Sequence, residues 1–121
     1  MLNIHLGQNW DIYWHNNGGN TTPTEEQYFQ MVINKTSVLP RMCIRIISAM
    51  LGEDVVSQQQ LMSMIRYTES LGAAFQIQDD LISVLSESYA ESRGILAEDI
   101  HEGKKTLMVI MALNGQEISE K

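Results

Sequence analysis

Residues 57 to 83 read as one long helix. At about 100° per residue, Leu61, Met64, Ile65, Leu71, Gly72 and Phe75 fall on a single apolar stripe. Asp79 falls inside that stripe, and Gln76, Asp80 and Ser83 lie on its flank. A carboxylate turned inward costs several kcal/mol to desolvate unless it is paired or bound to a metal. The fold must therefore hold a cation against the Phe75-Gln76-Ile77-Gln78-Asp79-Asp80 segment.

The remaining pattern is also helical, with no strand alternation, so the expected class is all-α. Residues 2 to 15 form a short amphipathic segment that ends at an Asn- and Gly-rich loop, residues 16 to 20. Thr22-Pro23-Thr24-Glu25-Glu26-Gln27 reads as a helix start, with a Thr cap, Pro at the first helical position and acids at the positive end of the dipole. That helix is expected to reach about Asn34. Pro40 demands a break or kink, and helix resumes from Arg41 to Leu51, closing at Gly52. Ser57 and Gln60 form a second capping box. Residues 84 to 103 are polar and read as a surface loop, and Leu107 to Leu113 as a buried apolar helix.

The length of 121 residues suits one domain or half of a larger one, and 44% hydrophobic content can fill a core. The net charge of −7 argues against general nucleic-acid binding, which needs a basic face. Anionic ligands stay possible where metal ions and a few placed Lys or Arg side chains receive them. A lone Cys43 excludes an intramolecular disulfide framework, so a reducing compartment is the default, and the expected cytoplasmic placement rests on the missing targeting signals. Its apolar surroundings in the sequence mark it as a small buried hydrophobe. No apolar run reaches the roughly 20 residues of a membrane span.

Gln76, Asp79, Asp80 and Ser83 are spaced so that all four project from adjacent turns of one helix face. Carboxylates in that arrangement can share a Mg²⁺, which prefers hard oxygen ligands and keeps water and substrate phosphates in its shell. Gln8 and Asp11 repeat a polar pair at i, i+3 on the segment containing Trp10, Ile12, Tyr13 and Trp14. Lys35-Thr36 places an ammonium and a hydroxyl where the helix is interrupted. Taken alone, each of these is ordinary surface decoration. Gly103-Lys104-Lys105-Thr106 looks like the end of a phosphate-cradling loop but lacks its upstream glycines. His5, His15 and His101 show no mutual metal-ligand spacing and read as surface or packed histidines.

Five segments in register carry a family resemblance: Gly7-Gln8-Asn9-Trp10-Asp11-Ile12-Tyr13-Trp14, Pro23-Thr24-Glu25-Glu26-Gln27-Tyr28, Asn34-Lys35-Thr36, Phe75-Gln76-Ile77-Gln78-Asp79-Asp80 and Glu98-Asp99-Ile100-His101-Glu102-Gly103-Lys104. Together they resemble the trans-prenyltransferases, the polyprenyl synthetases, and most closely eukaryotic-type geranylgeranyl diphosphate synthases. The resemblance implies an all-α isoprenoid synthase bundle that condenses an allylic diphosphate with isopentenyl diphosphate. It further implies that Asp79 ligates Mg²⁺ with Asp80 supporting it, and that Lys35 and Lys104 meet the diphosphate. Thr36 and Gln76 would orient the allylic carbon and departing oxygen or assist proton removal. Gln8 and Asp11 line the same cavity in such enzymes, Arg93 stands near a family loop Lys, and Asp99 supports the ligands.

The departures from the family pattern are specific. Ser83 stands where the second acidic motif usually ends in Asp, Ser37 replaces a usual Gly, and Pro40 falls in a normally continuous helix. No first aspartate-rich motif is present in the chain. The expectation is a C-terminal catalytic portion: a fragment, a truncated product or one half of a split enzyme. It would act as a homo-oligomer or with a complementing N-terminal half. A non-catalytic regulatory subunit and a helical interaction module are the alternatives.

Overall fold

A computed structural model describes residues 2–16, 21–86 and 97–119. Their order is α1 (Leu2–Asn16), α2 (Glu25–Lys35), α3 (Val38–Leu51), α4 (Gln58–Leu85), α5 (Glu98–His101) and α6 (Leu107–Ser119). No strand occurs among the described residues. The all-α expectation holds.

Helix α2 opens on Thr24, whose hydroxyl accepts from the Gln27 amide while the Gln27 side chain accepts from the Thr24 amide. The cap is thus Thr24 itself, and Pro23 is buried just ahead of it rather than occupying the first helical turn. The inward face presents Tyr28, Met31 and Val32, which join Trp14 of α1 and Ile110 of α6 in the core. Ala73 and Ile77 of α4 pack against the same cluster. Helix α1 approaches α2 closely because position 7 is glycine. A Cβ there would stand 2.6 Å from the Lys35 amide nitrogen and 2.9 Å from the Met31 carbonyl oxygen.

The chain breaks at Thr36-Ser37, where both amides donate to the Val32 carbonyl, and α3 begins at Val38 rather than Arg41. Pro40 sits inside the first turn of α3. A missing N–H costs nothing there, because the first four amides of a helix have no intrahelical acceptor. Gly52, with φ +84°, closes α3.

Helix α4 starts at the expected capping box of Ser57 and Gln60. Its buried face takes in only part of the apolar stripe, Ile65 and Gly72. The buried positions are Ile65, Thr68, Gly72, Asp80 and Ser83, whereas Met64, Leu71 and Phe75 are exposed, Phe75 at 62%. Small and polar residues let α4 approach the α2–α3 turn: the Ser37 hydroxyl donates to the Glu69 carbonyl and lies against Gly72, where any Cβ would clash with it. The Thr68 and Ser83 hydroxyls donate to the carbonyls of Ile65 and Asp80 within the helix. Each buried polar group on this face has a partner, so its burial is tolerable.

Three further expectations are corrected. Helix α4 extends to Leu85 and residues 98–101 form a helical turn, so 84 to 103 is not loop throughout. Cys43 is exposed, because α3 buries none of its residues. In α6 Ile110 is buried, while Met111 and Leu113 are exposed.

Candidate active site

The lysine and aspartate elements meet because three helices converge. Gly7 brings α1 onto α2, and one turn further on Asp11 receives the Lys35 ammonium at 2.5 Å. The α2–α3 break directs Thr36 toward α4, where its hydroxyl donates to Gln76 Oε1 at 3.1 Å. Gln76 Nε2 donates to Asp80 Oδ1 at 3.0 Å, and the Tyr28 hydroxyl donates to Asp80 Oδ2 at 2.7 Å. The fourth side of the site comes from the turn after α5. Gly103 adopts φ +80°, Lys104 bonds its amide to the Asp99 carbonyl, and the Lys104 ammonium pairs with Asp99 at 2.5 Å and Glu102 at 2.9 Å. The run that looked like a phosphate loop is therefore a turn whose Thr106 begins α6.

Around these groups lies a cavity of about 350 Å³ lined by Asp11, Tyr28, Met31, Lys35, Gln76, Asp79, Asp80, Glu98, Asp99, Glu102, Lys104, Lys105 and Thr106. Its walls are mostly charged, unlike an apolar ligand pocket. Gln8 lies outside it and lines an adjoining cavity with Asp11, Ile12, His15, Glu102 and Lys104. Thr36 is absent from the lining and reaches the site through Gln76. Arg93 lies outside the described residues.

Electrostatics separate the two aspartates. Burial pushes the Asp80 carboxyl above the usual carboxylate range; the bonds from Gln76 and Tyr28 pull it back in part, and the charges of Asp99 and Asp79 add to the rise. Burial also drives the Tyr28 hydroxyl upward, reinforced by Asp80, so the phenol stays protonated and a donor. For Lys104 burial works against the charge, but Asp99 and Glu102 outweigh it and hold the ammonium charged well above its ordinary range. Asp79 is exposed and makes no side-chain hydrogen bond among the described residues. The sequence reading placed Asp79 inward and Asp80 on the flank; the structure reverses them, because the small face of α4 is the one that packs.

The polyprenyl synthetase family profile matches residues 1–121. The chain belongs to that family. It is 34% identical over 119 residues to the geranylgeranyl pyrophosphate synthase dpasD of Apiospora sacchari, across 98% of this chain and 33% of that protein. It is 35% identical over 114 residues to the geranylgeranyl pyrophosphate synthase of Dictyostelium discoideum, across 94% of this chain and 34% of that one. A third relative, the geranylgeranyl pyrophosphate synthase cle6 of Aspergillus versicolor, is 38% identical over 113 residues, 93% of this chain and 27% of that protein. The chain spans about a third of the length of the curated relatives it matches.

For a polyprenyl synthetase chain, the donor set can be tested against a divalent cation. Among the described residues, no three carboxylate, imidazole or thiol groups gather closely enough to hold an ion unaided. Asp79 offers an open carboxylate, while both oxygens of Asp80 already accept from protein donors. That arrangement fits Mg²⁺, which is commonly held by one or two carboxylates with water and substrate phosphates completing its shell. It fits a metal–diphosphate pair better than a bare ion. The cavity-lining side chain that sequence reading passed over is Tyr28. Its signal was present: Tyr28, Met31, Val32 and Lys35 share one helix face, two turns apart at the ends.

Proposed function

We propose that this chain is the C-terminal catalytic portion of a trans-prenyltransferase of the geranylgeranyl diphosphate synthase type. It joins an allylic diphosphate, farnesyl diphosphate, to isopentenyl diphosphate in the cytoplasm, giving geranylgeranyl diphosphate and pyrophosphate. The observation that carries this reading is the convergence of Lys35, Lys104 and the Asp79–Asp80 pair on one cavity. Ammonium groups facing carboxylates across a charged cleft suit a ligand that brings phosphate oxygens and divalent cations together.

In the reaction the allylic C–O bond breaks, charge collects on the departing diphosphate, the isopentenyl double bond attacks the allylic carbon, and a proton is lost. Lys35 and Lys104 exchange their carboxylate partners for phosphate oxygens as the ligand enters. Asp79 provides the open metal-binding carboxylate, and Asp80 steadies it. Mg²⁺ supplies neutralisation of the leaving diphosphate when bound. Thr36 and Gln76, already bonded to each other, orient the reacting carbon and oxygen or assist proton removal. Gln8, Asp11 and Arg93 serve the substrate side of the site.

The rest of the helical domain, from a complementing N-terminal portion, covers the exposed faces of α3 and α4 and brings the first aspartate-rich motif. The test is thermal unfolding and turnover of the assembled enzyme. Pyrophosphate is expected to raise the melting temperature only with Mg²⁺ present. Asp79→Ala is expected to abolish that rise and cut turnover by about 10²–10³-fold, the scale of a lost charge-stabilising group. Equal protection in a chelator, or near-normal turnover of the variant, counts against the reading.

A further inference from the structure

We propose that Tyr28 is a positioning residue of the acidic pair: its hydroxyl immobilises Asp80, leaving Asp79 as the carboxylate presented to a divalent cation. The inference rests on the prenyl synthase reading of the site. The Tyr28 ring is 1% exposed and belongs to the core with Trp14, Met31, Val32 and Ile110. Its hydroxyl leaves that core on the cavity side and donates to Asp80 Oδ2 at 2.7 Å. The other oxygen accepts from Gln76, which is itself held by Thr36. Donors from two helices thus grip both ends of one carboxylate and fix its plane.

The consequence concerns the neighbouring residue. Asp79 and Asp80 are chemically identical and adjacent, yet one is buried and bonded at both oxygens and the other is exposed. Removing a group that holds the surroundings of a metal site in place typically costs about 10–100-fold in metal affinity. Without the hydroxyl, Asp80 Oδ2 loses its donor inside the fold. The carboxylate is then free to turn, and the acidic pair no longer presents the ion with one fixed arrangement. A rigid phenol anchored in the core does this better than a surface side chain, because the ring has no freedom to follow the carboxylate.

The experiment uses the assembled enzyme with Mn²⁺ and inorganic pyrophosphate, reading bound Mn²⁺ by electron paramagnetic resonance and fold by circular dichroism. Tyr28→Phe, which removes one oxygen and keeps the ring, is expected to weaken Mn²⁺–pyrophosphate binding by about 10- to 100-fold while keeping native helicity. Val32→Ala, a cavity-forming change in the same core with no bond to Asp80, is expected to lower the urea midpoint yet leave ion affinity unchanged. Should Tyr28→Phe fail to fold, Gln76→Met releases the other Asp80 oxygen and is expected to weaken binding likewise.

Wild-type affinity in Tyr28→Phe, or in Gln76→Met if it is the variant that folds, overturns the role of Tyr28 and leaves the prenyl synthase reading standing. Equal losses in Tyr28→Phe and Val32→Ala also overturn it, since the effect would then be general loosening of the core. A wild-type assembled enzyme that binds no Mn²⁺ with pyrophosphate overturns the underlying reading and this inference with it.

Discussion

At the scale of single residues, burial is what separates Asp80 from Asp79, and it has a thermodynamic signature. The folded chain holds the Asp80 proton more tightly than the unfolded chain does. Stability attributable to this group therefore rises as pH falls from its folded value toward the unfolded value near about 3.9, and its full cost applies above the folded value. Replacing Asp80 by Asn removes that dependence. The advantage of Asp80→Asn over wild type is thus expected to be largest at pH 7 and to shrink toward pH 4, read from urea midpoints; a gap that widens on acidification contradicts the assignment. Lys104 is also raised, but it is charged in the folded and the unfolded chain throughout this window and adds no slope to it. The sequence identified both aspartates but ordered them wrongly, because an apolar count along α4 cannot see which face finds partners.

At the scale of elements, local chemistry fixed the helix starts and close approach fixed how they pack. Both capping boxes formed where Thr24–Gln27 and Ser57–Gln60 stand in the sequence, because a hydroxyl and an amide three residues apart satisfy each other's backbone whatever lies around them. The register of α4 against the α2–α3 turn is a different matter. It depends on Ser37 seated against Gly72, which holds Thr36 near Gln76. Gly72→Ala drives a methyl into the Ser37 side chain and is expected to cost about 1–3 kcal/mol, the usual range for overpacking. Adding Ser37→Gly is expected to recover part of that loss in a double-mutant cycle read by chemical denaturation. Strict additivity of the two changes would show that the contact does not set the register. Sequence periodicity placed Gly72 on the apolar stripe but gave no sign of its partner, because Ser37 is polar and lies in the break between two helices.

For the whole molecule, the balance of surface is unusual. Helix α3 exposes Leu39, Met42, Ile46, Ile47 and Met50, the last at 81%, and α4 exposes Tyr67, Leu71 and Phe75. Apolar faces of that extent mark surfaces that associate. The isolated chain is expected to show a mass that rises with concentration in sedimentation velocity, and Met50→Glu with Phe75→Glu to shift it back toward monomer. A concentration-independent monomer in the wild type would mean these faces are tolerated in water. The sequence by itself determined the all-α class, the Ser57–Gln60 capping box, the long acidic helix and the family, since these depend on local spacing and on motifs in order. It also named Lys35, Lys104, Asp79 and Asp80, which line one cavity. Only the tertiary structure decided that α4 packs by its small, polar face, that Asp80 rather than Asp79 is buried, and that Tyr28 reaches across 52 residues to hold it. Those outcomes depend on which surfaces meet, and steric fit between Gly7 and α2 and between Gly72 and Ser37 left Met64, Leu71 and Phe75 of the stripe exposed.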